Sequence, residues 1–420
     1  MLRIGKEKTI LKTKELSIVR DLAKEVAQIA SVSQQEQKRG LWRKLNGKQP
    51  ERPMVMIDQV CWNEMNFNNE LTLLCQEKRL REWENILRRI IYQWKHFPVD
   101  MVVENFIRVP KAVSGMDFGV HPKETVLSND DTNDVMSHCY TNQFVQMEDL
   151  KRIKMPVIHH DQEETNKRME LASEIFDGII AIRAEGVDPY LSVWDPITTW
   201  MGPENLLLAL ADEPEMMLAM AKKLVSGYLS MLDQLEDQGL LCGSQSLIHC
   251  TGAWTDDLPQ NLLSNDKSTT KDIWMFGLAQ MFASVSPDML DEFEISVNKP
   301  LFERFGLVYY GCCDPLDLKM EEVRKIPNLR KVSMSTWVDR SKGAQEIGRD
   351  YVYSYKPNPA YLASASFDEA LIRKDLRETK QICERYNCPL EIILKDVSTV
   401  SYQPGRLWQW AKIAMEEVGE

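Results

Sequence analysis

The sequence predicts an α/β protein: a single (β/α)8 barrel of the TIM type, with an N-terminal helical extension and a long inserted loop. Three observations lead there. Apolar runs of strand length alternate with amphipathic helices from about residue 50 to the carboxyl end. The candidate strands number about eight, which suits one barrel of about 250 residues plus insertions. No GxGxxG or GxxxxGKS/T segment occurs, so a doubly wound open sheet lacks its usual phosphate loop. The chain then divides into a helical arm over residues 1–50 and a barrel over residues 51–420.

Taken in order, the barrel opens with PMVMID (53–58) as a strand, a helix over about 71–95, and DMVVENF (100–106) as the next strand. A helix follows over 163–185, stopped by Gly186, and then DPYLSVWD (188–195) reads as a strand. A long helix covers 213–236. It opens with Asp212 and Glu215 at capping-box spacing, and Met217, Met220, Ala221, Leu224, Tyr228 and Leu235 form one core-facing stripe. A weaker strand lies near 275–283. The second half is clearest. GLVYYG (306–311), LRKVSMS (329–335), DYVYSYK (350–356) and CPLEIILKD (388–396) are strands. Helices over 315–326, 341–349, 367–386 and 405–418 follow them in turn, which implies parallel strands with crossover helices. Residues 241–272, with GSQS and HCTG, form a polar connection whose length marks a functional loop.

Composition narrows the function classes. Of 420 residues, 44% are apolar and 27% charged, as in ordinary globular chains. The longest clean apolar run, Leu206 to Ala211, is far short of the roughly 20 residues that span a bilayer. The first residues, MLRIGKEKTILKTKE, have no apolar core of signal-peptide length, so a cytoplasmic location is expected. The net charge of −12 is uneven. Residues 1–52 carry +7 and the remainder −19. An acidic body repels phosphate backbones, which argues against nucleic-acid binding. The nine cysteines include no CxxC pair, so they read as reduced thiols and not as a disulfide framework.

In a (β/α)8 barrel, chemistry sits at the carboxyl ends of the strands. That geometry selects Asp58, Glu104, Asp195 beside Trp194, the pair Cys312 and Cys313, Trp337 with Asp339, and Lys395 with Asp396. A single Asp in such a turn is most often a helix cap, with Asp314 and Asp396 the strongest cases, so the convergence matters more than any one member. A thiolate at this rim can ligate zinc with nitrogen or oxygen donors, or act as a nucleophile if its pKa is lowered. A nearby histidine would support either role: His249 lies in the long loop, and His159 and His160 follow MPVI, neither with a fixed ligand spacing such as HExxH.

These residues carry a resemblance. SPDMLDEFEISVNKPLFERFGLVYYGCCDPLDLKMEEVRKIPNLRKVSMSTWVD (286–339), DPITTWMGPENLLLALADEPEMMLAMAKKLV (195–225) and ILKDVSTVSYQPGRLWQWAKIAME (393–416) resemble blocks of the uroporphyrinogen decarboxylase superfamily. The resemblance implies a (β/α)8 barrel of that type over most of residues 50–418. Its members are porphyrinogen decarboxylases and corrinoid-dependent methyltransferases. The decarboxylases carry an Arg-rich segment after the first strand, whereas DQVCWNEMNFNNE (58–70) has no Arg. The thiol-methylating zinc members carry His-x-Cys where this chain has Tyr310–Gly311–Cys312, and a further Cys where residues 397–402 have none.

The "YGCC" turn and the closing "ILKD" strand look most like demethylating methyltransferases. These move a methyl group from a small methylated substrate, often an aromatic methyl ether, to cob(I)alamin on a corrinoid protein. On this reading Glu104, Tyr310 and Asp339 are catalytic. Asp58, Trp194, Asp195 and Trp337 bind substrate. Cys312, Cys313 and His249 hold zinc. The expected partners are the methylated substrate, the corrinoid protein with its cobalamin, and a second copy in a homodimer, with neither nucleic acid nor membrane among them. The alternatives are a decarboxylase acting on a tetrapyrrole or another carboxylate, and a non-catalytic ligand-binding barrel.

Overall fold

The computed structural model describes residues 2–127, 136–243, 245–259 and 267–419, without the side chains of 2–13. Six parallel strands form its central sheet: β1 (Met54–Ile57), β2 (Trp274–Gly277), β3 (Leu307–Tyr310), β4 (Leu329–Met334), β5 (Val352–Tyr355) and β6 (Leu390–Leu394). They lie side by side in the order β1-β6-β5-β4-β3-β2. Every pairing is parallel, with Met54 opposite Glu391, Tyr353 opposite Leu390, Lys331 opposite Val352, and Trp274 opposite Leu307. Beyond this sheet, Phe106–Pro110 pairs in parallel with Ala181–Glu185, and Val187 bridges Leu241 in parallel. The arrangement is mixed α/β and consistent with a TIM-barrel-like fold. Among the described residues no continuous ladder closes the ring.

The two sheet faces differ in chemistry because strand side chains alternate. Val308, Tyr310, Val332, Met334, Tyr353, Tyr355, Leu390 and Ile392 belong to the main apolar core with the surrounding helices. The opposite face carries Tyr309, Lys331, Ser333, Ser354 and Glu391, all fully buried. It is covered by the hairpin Leu247–Ile248/Thr251–Gly252 and by the N-terminal arm. That arm is helical as expected: α1 (Leu2–Ser31) and α2 (Ser33–Asn46). Val19, Ala23 and Val26 of α1 pack on Leu80 and Leu87 of α3 (Lys78–His96) and on Ala172 and Ile175 of α4 (Gln162–Phe176). In α2, Trp42 and Leu45 pack on Met54, Met56, Val352 and Ile393, and the Trp42 indole donates to Asp100 O at 2.9 Å. Gly252 is required beneath it, since a Cβ there would lie 2.4 Å from the Trp42 ring.

Several elements depart from the sequence reading, each for a local reason. The helix expected over 163–185 stops at Phe176, because the chain turns at Gly178 (φ +72°) and Ala181–Glu185 is taken up as a strand. The strand expected over 188–195 is absent. A helix, α5 (Trp194–Met201), begins there instead, and the Ser192 hydroxyl accepts the Asp195 N–H at 3.2 Å. The strand placed at 100–106 begins only at Phe106. Upstream of it, the Asp100 carboxylate accepts the Val55 N–H at 2.8 Å and both Arg52 terminal nitrogens, at 2.9 and 2.7 Å. The helix expected over 315–326 is a single turn, Met320–Val323. The later helices are α6 (Pro203–Asp212), α7 (Pro214–Asp237), α8 (Arg340–Ile347), α9 (Glu369–Tyr386) and α10 (Gly405–Val418). Within the 241–272 connection, Ser244 and residues 260–266 lie outside the described residues. Among the described residues, no helix is long and apolar enough to cross a membrane.

Candidate functional site: a thiolate cluster at the carboxyl edge

Because the six strands are parallel, their carboxyl ends share one edge of the sheet. Gly311 ends β3 with φ +93°, a conformation that favours glycine, and a Cβ there would meet Leu316 at 2.6 Å. The turn sets the next two residues side by side, with Cys312 and Cys313 Sγ atoms 3.5 Å apart. The loop is held by the fully buried Asp314, which accepts the Cys312 N–H at 3.1 Å, and by Ser333 of β4, which donates to Cys312 O at 2.7 Å. From the end of β6, Lys395 Nζ reaches Cys312 Sγ at 3.1 Å and Asp396 Oδ2 at 2.9 Å. From the inner hairpin, His249 Nε2 lies 3.6 Å from Cys312 Sγ, and its ring stacks on Phe276 with centroids 3.8 Å apart. Cys313 is exposed and lies 3.5 Å from Asp396 Oδ2.

These contacts set the charge. The Cys313 thiol donating to Cys312, the neighbouring His249 and the Lys395 ammonium hold Cys312 well below the usual thiol range, against the cost of burial. Cys313 moves the other way, because its sulfur bonds to an anion. Lys395 is held protonated by the Cys312 and Asp396 charges. Cys250 is pushed up by burial and by the Asp58 carboxylate, and the Asp58 N–H donates to Leu394 O at 3.0 Å, next to Lys395 in the chain. Tyr190 donates to Asp195 Oδ2 at 2.7 Å. The Tyr190 ring lies 6.1 Å from Phe276, the ring on which His249 stacks, and burial and Asp195 raise its phenol.

Beneath the cluster runs a buried polar column. Lys331 Nζ meets Glu391 Oε2 at 2.8 Å with both side chains fully buried, and it donates to Thr251 Oγ1 at 3.1 Å and Gly252 O at 3.0 Å. Glu391 Oε1 accepts Ser354 Oγ at 2.5 Å. Lys356 Nζ donates to Tyr309 Oη and to Ser354 Oγ, each at 2.6 Å. Burial pushes Lys356 down to about 8, opposed chiefly by the Glu391 carboxylate and then by the Cys250 and Cys312 sulfurs.

The structure therefore brings together Cys312, Cys313 and His249 from the sequence reading, with Asp58 following β1 next to the end of β6 and Asp195 joined to them through Tyr190 and Phe276. The others have different surroundings. Tyr310 is fully buried on the opposite sheet face, where its hydroxyl donates to Glu294 Oε1 at 3.4 Å. Its neighbour Tyr309 points inward instead, since adjacent strand residues face opposite sides. Asp339 caps α8, accepting the Lys342 N–H at 3.0 Å. Glu104 pairs with Arg39 at 3.5 Å and Arg108 at 3.9 Å. Trp194 is fully buried against Phe282, and Trp337 is 73% exposed. Lys356 ends the strand DYVYSYK (350–356) and was still not singled out, because nothing local sets it apart from other strand-end lysines, and Tyr190 lies inside the strand expected over 188–195. Lys395 was visible as a strand end, but its tie to a thiolate needs the fold.

Zinc on Cys312, Cys313 and His249 does not fit this arrangement. Among the described residues no three His, Cys, Asp or Glu side chains are placed to hold a metal ion. The Lys395 ammonium stands against Cys312, where a second cation would be repelled.

No family model matches the chain. The curated proteins give no match either. Among solved structures, a methyltransferase from Methanosarcina mazei superposes with a TM-score of 0.46 at 10% identity, over 89% of this chain and 97% of that one. A likeness of that size carries no argument about this chain's chemistry.

Proposed function

We propose that this chain is a corrinoid-dependent methyltransferase, moving a methyl group from a small methylated substrate, such as an aromatic methyl ether, to cob(I)alamin on a partner protein. Two things support the reading: the resemblance of residues 195–225, 286–339 and 393–416 to that superfamily, and the character of the cluster. The observation that carries it is the Cys312 sulfur, 3.1 Å from the Lys395 ammonium and 3.6 Å from His249, at the carboxyl edge of a parallel sheet.

An ether methyl is a poor electrophile because its leaving group is basic. In the transition state the methyl carbon gains positive character and the departing oxygen gains negative charge. A fixed anion near the carbon and a donor near the oxygen each stabilise that state more than the ground state. Cys312 supplies the anion, with Lys395 and His249 keeping it charged. Tyr190, whose hydroxyl is held by Asp195, supplies an O–H for the departing oxygen once that single proton turns away from the carboxylate. The partner's cobalamin contributes the nucleophilic metal that accepts the methyl group when it is bound, and no residue of this chain is assigned to hold it.

The test mixes the protein with a reduced corrinoid protein and a panel of methylated phenols, and follows methylcobalamin spectroscopically. Transfer is expected in the wild type, with a loss of about 100-fold in Cys312→Ser, the scale of removing one preorganised electrostatic group. Absence of transfer across the panel, or release of CO2 from a tetrapyrrole instead, would overturn the reading.

A further inference from the structure

We infer that Cys312 and Cys313 form a vicinal dithiol modification site, which small peroxides oxidise reversibly to a disulfide and which trivalent arsenicals bridge. The argument is independent of the methyl-transfer reading. It starts from two sulfurs 3.5 Å apart on adjacent residues, unlike each other in setting. Cys312 is 5% exposed and has the Lys395 ammonium 3.1 Å away and His249 at 3.6 Å. Cys313 is exposed, and besides Cys312 its sulfur has the Asp396 carboxylate at 3.5 Å. One sulfur is therefore placed to be the nucleophile, and the other to resolve the product from the solvent side.

The chemistry balances in two steps. The Cys312 thiolate attacks one peroxide oxygen. An S–O bond forms, the O–O bond breaks, and hydroxide leaves, so sulfur is oxidised and peroxide reduced. The Cys313 sulfur then attacks the sulfenic sulfur. The S–S bond forms, the S–O bond breaks, and the Cys313 proton leaves with that oxygen as water. Lys395 stabilises the first sulfur anion and does not change oxidation state. Hydrogen peroxide is small enough to reach a sulfur that is 5% exposed, whereas a bulky disulfide is not. The bridge is also easily undone. Adjacent Cα atoms sit about 3.8 Å apart, below the roughly 4.4–6.8 Å that disulfides favour, so the bond is strained and readily reduced.

The other cysteines lack this arrangement. Cys139 is exposed with no thiol beside it among the described residues, and Cys383 of α9 meets the Cys388 thiol just beyond it, but both are buried, with the Cys388 thiol donating to Ala344 O at 3.1 Å and neither sulfur exposed to resolve a product. Oxidation should therefore be confined to one turn, and it would remove the anion at the centre of the cluster.

The experiment treats the full chain with hydrogen peroxide, blocks free thiols, and reads intact mass and peptides. The expected product is a loss of two hydrogens mapped to the peptide holding Cys312 and Cys313, restored by dithiothreitol. Cys313→Ser should instead accumulate an oxygen adduct on Cys312. Lys395→Met should slow the reaction about 10-fold, and phenylarsine oxide should bind wild type one to one but neither serine variant. A disulfide mapped elsewhere, an unchanged rate in Lys395→Met, or no bridged species in wild type would each overturn the inference. Because the wild-type mass needs no variant, a misfolded mutant leaves the result decisive. Because no corrinoid is present, failure here is separate from failure of methyl transfer.

Discussion

Lys356 shows how a single buried cation shapes the energetics around the cluster. Its ammonium is enclosed by Tyr309 and Ser354, and burial pushes its pKa from the ordinary 10.5 down to about 8. Between those values the unfolded chain binds more protons than the folded one, so stability rises with pH across that window. Below it, the folded chain bears the cost of a buried charge. Lys356→Met should remove this slope. The difference in urea unfolding free energy between wild type and variant should grow in favour of wild type from about pH 8 to about pH 10.5. A flat difference would show that the amine is not confined as described. The same scale explains what the sequence reveals and hides. Cys312 and Cys313 are legible because a strand end at a glycine turn announces a position at the carboxyl edge of the sheet. Tyr310 misleads because the choice between it and Tyr309 is one of strand parity. A register shift between Val308 and Tyr309, invisible in the sequence, lies where that parity is decided.

Among elements, α8 and the segment 177–194 mark the two extremes. Asp339 follows β4 and stands before a run with helical spacing, so its side chain could equally cap a helix or enter a site. The structure resolves this with the Lys342 N–H bond. Asp339→Ala should cost about 1 kcal/mol in denaturant unfolding, and Asp339→Asn nearly nothing, because asparagine caps as well as aspartate. A large loss in the asparagine variant would point to a role other than capping. The four strands after residue 300 and three of the helices that follow them were legible because each apolar run is bounded by turn residues and followed by a helical stripe, whereas 315–326 holds one helical turn, Met320–Val323. Around 177–194 that logic failed. Ile179 to Ile182 continue the apolar content of α4, and only Gly178 and the parallel partner Phe106–Pro110 separate strand from helix. Trp194 looks like a strand end by hydropathy but initiates α5 through Ser192.

At the scale of the molecule, the fold commits to a charged centre. Lys331 and Glu391 are both fully buried, ringed by Thr251, Ser354, Trp42 and Trp274. Removing one member strands the other. Lys331→Met should therefore cost about 3–5 kcal/mol, whereas Lys331→Met with Glu391→Leu should recover much of it. Chemical denaturation of the three proteins measures both. If the double variant is as unstable as the single, the pair contributes net attraction beyond its own desolvation.

The inner hairpin that carries His249 has one more consequence. The groups around the reactive sulfur come from segments near 58, 249, 312 and 395, so they can meet only after nearly the whole polypeptide has docked. Partly assembled molecules would hold Cys312 as an ordinary protonated thiol. The ultraviolet signature of the sulfur anion is thus a built-in clock for refolding, and it should develop in the last kinetic phase, after helical content has already returned.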